Sequence, residues 1–475
     1  MKKIVVLAVL FLSVSIAFAQ GSVPVLVIDS GTDFSHEMLK DIASPNQAEK
    51  SGETGKDDDK NGYIDDIFGW NFAGNNAQLV NLEFTPERYD EVMRFMELMG
   101  QYQIHGQQGM SAEDFNFLVT NYKDKKFMAW IQFTGGWAHG THVGGIIATD
   151  NDKINMKAVA HIPVGNPPAA EVRKMLQNSR FYFASIRKRE VFESREDKKP
   201  TMEEIIQYFD HLGSQNALKI KPEAAYVGTL KPRVINCSFG TENKMLLANF
   251  KKVMVEQWGF EAPTDEEVQR IVNMFVDKAF LPRDKVLFSK TPNALICIAA
   301  GNSTEDPDIM TTSPNDVKIP NKIVVAATEM NKKLAPFSCW GKTKVDIAVP
   351  GVGIYSSYPN GKMGYMSGTS QAAPYVAKWA SLVLKQNPSL TAVQVKKILV
   401  GTVDKKDWLT DKVISGGILN PERALAVAAL MKNGKTLTEA LKKAKEAVDD
   451  MPQTRDLRKP PMTPFELELY NSFAF

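Results

Sequence analysis

Apolar runs recur along the chain, and each stops at a small polar turn. Val23 to Ile28 (VPVLVI) is almost continuously apolar and ends at Asp29-Ser30-Gly31. Arg233 to Cys237, Ala294 to Ala300 and Lys322 to Ala327 repeat the pattern. Runs without polar alternation suit strands covered on both faces, as in a parallel sheet. Segments of helical period lie between or after them, at Ser370 to Lys385 and Thr391 to Val400. Strand, turn, helix and strand again predict an α/β fold: a mostly parallel central sheet with helices on both faces. Such sheets bind ligands beyond the carboxyl ends of their strands. Chemistry is therefore expected at the polar tips.

Two stretches break this rhythm. About 78–134 carries the helical patterns PERYDEVMRFMELMGQY and SAEDFNFLVTNY. About 165–230 carries AEVRKMLQNSRFYFASIRKREVFE, a charged break at SREDKKP, and EEIIQYFDHLGSQNA. Both read as helical insertions in one α/β domain spanning 20–431. The mixed charges of RKRE and REDKK suit a solvated face or loop. Residues 432–475 form an extension, with one helical pattern (TLTEALKKAKEAV) and a Pro-containing tail ending in Phe-Ala-Phe.

Composition narrows the class. The chain has 475 residues, 44% hydrophobic and 24% charged, enough to bury a sizeable core. Its 57 basic and 55 acidic residues leave a net charge of +2, so no global field favours nucleic acid or an anionic membrane. Lys2 and Lys3, the apolar run Ile4 to Ile16, and Ala17-Phe18-Ala19 have the layout of a cleaved signal peptide covering 1–19. That run is too short for a bilayer span. The mature chain is expected to be soluble and outside the cytoplasm, either periplasmic or secreted. The three cysteines, Cys237, Cys297 and Cys339, cannot all pair within one chain. They show no zinc spacing and read as buried thiols.

Four segments supply the parts of a nucleophilic hydrolase. A serine hydroxyl needs a base within hydrogen-bond reach, the base needs a carboxylate to fix its tautomer, and the oxyanion needs preorganised donors. In VLVIDSGTDFSH, Asp29 ends an apolar strand, where a carboxylate can be buried and aimed. In AHGTHVGGIIAT, His139 precedes a helix-like, glycine-rich segment. His142 follows one turn on, but there is no HExxH and no third ligand to suggest a metal. In ALICIAAGNST, Asn302 follows a strand and a glycine, so its amide can face a reacting carbonyl. In YMSGTSQAAPYVAKWASLVL, Ser370 opens an amphipathic helix, whose free N–H groups favour developing negative charge. Each segment alone has a bland reading as a turn or cap. Together they have none.

DSGTDFSH, HGTHVGG, AAGN and SGTSQAAP together resemble the subtilisin-like serine proteases (subtilases), and the order Asp, His, Ser matches that family. The segments INMKAVAHIP, VINCSFG, KIPNKIVVAAT, FSCWG, VDIAVPGVGIYSS and SGGILNPERAL extend the likeness over roughly Val23 to Leu425, apart from the insertions. The resemblance implies the subtilisin-like three-layer fold and a secreted serine endopeptidase acting on proteins or peptides. It makes Ser370 the nucleophile, His139 the general base, Asp29 its orienting carboxylate, and Asn302 an oxyanion donor. It also places Ser238, Phe239 and Gly240, with Ala299, Ala300 and Gly301, along the primary specificity pocket. These linings carry no charge, so apolar side chains are expected before the cut.

The chain departs from the family in several places. Only Gln20, Gly21 and Ser22 lie between the expected cleavage point and the first strand, leaving no room for the usual folding-assistant propeptide. One or both insertions are expected to supply restraint instead, lying across or beside the cleft, with SIRKREVFESREDKKP as a place for proteolytic nicking; the competing reading is that both are ordinary packed surface helices. Glu37-Met38-Leu39 stands where relatives often have Pro-Asp-Leu, which puts one common calcium site in doubt. KDDDKNGYIDDIFGWNF instead offers Asp57, Asp59, Asn61, the Tyr63 carbonyl and Asp65 as oxygen ligands for a structural Ca²⁺, without the closing glutamate of a full calcium loop. The competing reading of that loop is a solvated acidic turn. A narrowly specific processing protease and a catalytically silent binding protein on the same fold remain the alternative functions.

Overall fold

The computed structural model describes residues 21–84, 88–164, 199–304, 308–330, 333–452 and 462–475. The signal-like segment, and the part of the second insertion that includes the expected nicking site up to residue 198, lie outside the described residues.

Among the described residues the main sheet has nine strands: β1 (Val23–Asp29), β2 (Gly69–Asn71), β3 (Ile154–Ala160), β4 (Val234–Cys237), β5 (Leu295–Ala299), β6 (Lys322–Thr328), β7 (Ile347–Pro350), and the two-residue β10 (Asp404–Lys405) and β11 (Gly417–Ile418). Their spatial order is β10-β11-β7-β6-β5-β4-β1-β3-β2. All neighbours pair in parallel except β10 with β11. A separate antiparallel hairpin joins β8 (Ile354–Tyr358) and β9 (Lys362–Met366). β1 sits between β3 and β4, with Val27 opposite both Ala158 and Asn236. The connections leaving β1 and β4 run in opposite directions, toward β2 and β5, which opens a crevice above the ends of these two strands.

The apolar runs are explained by burial on both faces. Val25 and Val27 of β1 join one core cluster, whereas Leu26 and Ile28 join the other. Leu295 and Cys297 alternate with Ile296 and Ile298 in the same way in β5. The first cluster is covered by the helices Lys125–Ala148 and Thr369–Gln386, and the second by Lys221–Thr229 and Leu281–Phe288. These are the three layers. All three cysteines are buried, and none forms a disulfide among the described residues.

The histidine-bearing helix differs from expectation. It does not begin after His139 but at Lys125, where the Asp124 carboxylate accepts from the N–H groups of Lys126 and Phe127. The glycines that follow His139 are positions of close approach. A side chain on Gly140 would meet the Gly31 carbonyl, and one on Gly145 would meet Ser356 and Ser357. Each helical glycine costs about 1 kcal/mol relative to alanine, which this packing offsets.

A third apolar cluster stands apart from the sheet. Ile205 and Phe209 of the helix Met202–Lys219 pack with Leu246, Phe250 and Trp258, and with Val268 and Phe275 of Asp265–Phe275. The second insertion is thus half of a helical lobe whose other half lies at 243–280, where the sequence reading placed no insertion. The C-terminal residues are not detached: Ala440, Ala444, Leu469, Tyr470 and Phe473 are all buried in the first cluster.

Candidate active site

Asp29 closes β1 and is fully buried. Its Oδ1 accepts from the Ser30 N–H at 2.7 Å and from His139 Nδ1 at 2.6 Å, while Oδ2 has no partner among the described residues. A carboxylate can only accept, so Nδ1 carries the imidazole proton and Nε2 is left as the basic nitrogen. The helix holding His139 is tied to the turn after β1. The Gly140 N–H donates to Ser30 Oγ at 3.1 Å, and the Asp33 N–H donates to Thr141 Oγ1 at 3.0 Å.

His142 faces away from this site. Its Nε2 donates to the carbonyls of Ile354 and Gly364 at 3.1 and 3.3 Å. Burial lowers its pKa from 6.5 to about 3, so it stays neutral at neutral pH. It anchors the β8–β9 hairpin to the histidine helix.

Ser370 is the second residue of the helix Thr369–Gln386. Its hydroxyl donates to the Ser238 carbonyl at 3.2 Å, and Ser238 Oγ donates back to the Ser370 carbonyl at 2.8 Å. Among the described residues no hydrogen bond joins Ser370 Oγ to His139, although both line one cleft.

Asn302 is held by a residue the sequence reading passed over. The Thr369 N–H and Thr369 Oγ1 both donate to Asn302 Oδ1 at 2.9 Å. Thr369 Oγ1 also accepts from the Gly301 N–H at 3.0 Å. Two bonds on Oδ1 fix which end of the amide faces outward, so Nδ2 points into the cleft as a donor. Gly301 takes φ +110°, a backbone state that suits glycine and turns the chain from β5 into this position. The threonine of Gly368-Thr369-Ser370 was legible only as part of a turn.

The cleft encloses about 680 Å³ and is lined by His139, Ser370 and Asn302 together with Ser238, Phe239, Gly240, Ala299, Ala300 and Gly301. Ser313 and Asn315 join the lining, and Glu242 lies at the exposed rim. Gln132 and Phe133, at the end of the first insertion, form another wall. Asn471, Ser472, Ala474 and Phe475 also line it, which nothing in the sequence signalled.

The acidic loop brings together two of the expected carboxylates, Asp57 and Asp59, and adds Glu49. Glu49, Asp57 and Asp59 bring carboxylate oxygens within 4.8 Å of one another. Asp57 accepts from the Asn61 and Gly62 N–H groups at 3.0 and 2.8 Å, and Asn61 Nδ2 donates to Asp59 at 3.1 Å. Asp65 instead turns its carboxylate to the Gly55 N–H at 2.9 Å, while its own N–H donates to Glu49. The Tyr63 ring packs on Trp70, Phe72 and Tyr226. Glu49 comes from the preceding helix Gln47–Ser51 and is buried beneath the loop, so loop spacing could not reveal it. Asp66, also buried, accepts from the Tyr226 hydroxyl at 2.7 Å, and burial raises its pKa.

A sequence model of the subtilase family matches residues 21–420. The chain is 24% identical over 404 residues to subtilisin-like protease 1 of Plasmodium vivax, covering 85% of this chain and 47% of that protein. It is 33% identical over 133 residues to subtilisin DY of Bacillus licheniformis, covering 28% of this chain and 47% of that one. The chain spans about half the length of the curated relatives it matches. Among solved structures, a cold-adapted subtilisin-like serine proteinase aligns over 82% of this chain and 88% of that one, at 18% identity and a TM-score of 0.41.

Proposed function

Because the chain belongs to the subtilase family, we propose that it is a serine endopeptidase that hydrolyses peptide bonds through an acyl-enzyme on Ser370. The observation that carries this reading is the 2.6 Å bond from His139 to buried Asp29, in a cleft shared with Ser370 and Asn302. In the reactive arrangement the Ser370 hydroxyl leaves the Ser238 carbonyl and donates to His139 Nε2 across the cleft that both line. Ser370 Oγ then attacks the scissile carbonyl carbon while Nε2 takes its proton. The carbonyl oxygen becomes an oxyanion held by Asn302 Nδ2 and the Ser370 N–H. Collapse breaks the C–N bond as the imidazolium gives its proton to the leaving amine. Water repeats the sequence on the ester and frees the acid. Throughout, Asp29 holds the imidazole in one tautomer and offsets its transient charge.

The uncharged linings from Ser238 to Gly240 and from Ala299 to Gly301 favour an apolar side chain before the cut. The Lys2–Ala19 pattern supports export, and no described helix is long and apolar enough to cross a membrane. An irreversible serine-directed phosphonate, followed by peptide mapping, tests the reading: the adduct belongs on Ser370, and an adduct on another serine would end it.

Asn302→Ala should fold and turn over slowly. Loss of one oxyanion donor costs about 10²–10³ in kcat, or about 3–4 kcal/mol, a figure taken from another subtilase. A kcat within about threefold of the parent would remove Asn302 from the oxyanion hole.

We also propose that the acidic loop binds one structural Ca²⁺ through Glu49, Asp57 and Asp59. Crowded carboxylates suit a hard cation. A ligand bound only by the native state adds about 2.7 kcal/mol at a hundredfold excess over Kd. Chelation should lower the melting temperature by several degrees, and Asp59→Ala should remove that sensitivity. Equal melting with calcium and with chelator would leave the loop a solvated acidic turn.

A further inference from the structure

The last described segment ends inside the cleft. It starts with the helix Pro464–Asn471, capped by Thr463, whose Oγ1 accepts from the Glu466 N–H. A helix this short is marginal alone, and burial of Leu469 and Tyr470 holds it. The Tyr470 hydroxyl donates to Glu329 at 2.8 Å. Its carbonyl accepts from Gln103 Nε2 at 2.8 Å, and Gln103 Oε1 accepts in turn from Ser367 Oγ at 2.5 Å. Gln103 is 1% exposed, so the first insertion, the tail and the turn before Ser370 form one buried knot.

Beyond that anchor the chain runs along the turn that carries the serine. Ala474 forms a parallel bridge with Ser367, and the Phe475 N–H donates to the Ser367 carbonyl at 2.9 Å. Asn302 Nδ2 donates to the Phe475 carbonyl oxygen at 2.9 Å. The Phe475 ring lies over Gly135 of the histidine helix, where a Cβ would collide with it. With Oδ1 held by Thr369, Nδ2 is the end of Asn302 that a substrate carbonyl would use, and the tail engages it.

We propose that residues 463–475 act as an intramolecular inhibitor, a latch whose last two residues lie beside Ser370 and engage the oxyanion donor. This rests on the protease reading above. The anchor from Leu469 to Phe473 belongs to the core, so only Ala474 and Phe475 need to lift for substrate to enter. A tethered ligand acts at a high effective concentration, in the millimolar range for short flexible tethers. Weak contacts therefore suffice to hold the cleft closed, and substrate or a partner that captures Phe475 opens it. The restraint expected of the insertions is assigned here to the tail, with the first insertion as its anchor through Gln103.

Two variants of the full chain test this without touching a group of the reaction. Phe475→Ala removes the ring. Gly135→Ala fills the ring's seat with a residue that suits a helix better than glycine. Both should raise kcat/KM on a small chromogenic peptide by about tenfold to a hundredfold, through a lower KM, the range expected for loss of one half-buried aromatic contact. The peptide Asn471–Phe475 (NSFAF), added to the Phe475→Ala variant, should inhibit competitively. If all three proteins label on Ser370 and cleave the substrate with the same KM, the latch fails and the protease reading stands. If both variants melt lower than the parent with KM unchanged, the tail is a structural strut and the latch is equally overturned. If none labels or cleaves, both readings fall.

Discussion

Replacing Ser370 by alanine is expected to abolish peptide cleavage and phosphonate labelling while leaving the fold intact. Among the described residues Ser370 Oγ makes one hydrogen bond, to the Ser238 carbonyl, so its loss leaves a single acceptor without its donor. The return bond from Ser238 Oγ to the Ser370 carbonyl does not involve the missing atom. Stability should therefore change by about 1 kcal/mol or less. Activity should fall by about 10⁶ in kcat, the scale found on removing the nucleophile of a subtilase triad. Some catalysis above the water rate survives such a change, because the oxyanion donors and the binding cleft remain. Matched kinetics and melting curves check both halves. A mutant retaining even a hundredth of the parent rate would mean that another group attacks the carbonyl.

Asp29→Asn should produce the second largest loss, about 10⁴ in kcat. The reason is a proton, not a shape. An asparagine amide can present N–H to His139 Nδ1, so Nδ1 becomes an acceptor and the ring proton moves to Nε2. A protonated Nε2 cannot receive the Ser370 proton. The fold should tolerate the change at the cost of one hydrogen bond, since the amide N–H that faces His139 stands where Oδ1 accepts from the Ser30 N–H, while Oδ2 has no partner among the described residues. A neutral isostere there relieves a buried charge. KM should change little, because Asp29 is not among the residues lining the substrate cleft. A mutant within about tenfold of the parent, with unchanged melting, would show that His139 does not depend on Asp29 for its tautomer.

Much of this site was legible because its residues stand at chain landmarks. Asp29 ends an uninterrupted apolar run, Ser370 opens a helix, and Asn302 follows a strand and a positive-φ glycine. Such positions follow from local pattern. The residues that hold these groups do not. Thr369 bonds to Asn302, and Gln103 bonds to Ser367 and Tyr470, across long stretches of chain that leave no periodic trace. The start of the histidine helix was obscured by glycines whose backbone neighbours appear only in three dimensions. The helical lobe escaped notice for a related reason. Its second half, at 243–280, is amphipathic and apolar only on one stripe, so it differs little from an ordinary crossover helix until Ile205 and Phe209 are seen against it.

The position of β1 has a consequence for how the protein is made. It is the first described strand to leave the ribosome, and it must end up inside the sheet, between β3 and β4. Until both have been synthesised, its two edges are bare, and parallel pairing across long loops is slow. A nascent chain at this stage carries a sticky apolar strand, a natural client for a chaperone. The same order confers safety. Asp29 arrives with the first strand, but Ser370 lies on a helix made after β9. No functional triad exists until most of the chain has emerged. The tail that reaches Asn302 is translated after Ser370, so the nucleophile and the segment that engages its oxyanion donor emerge in that order.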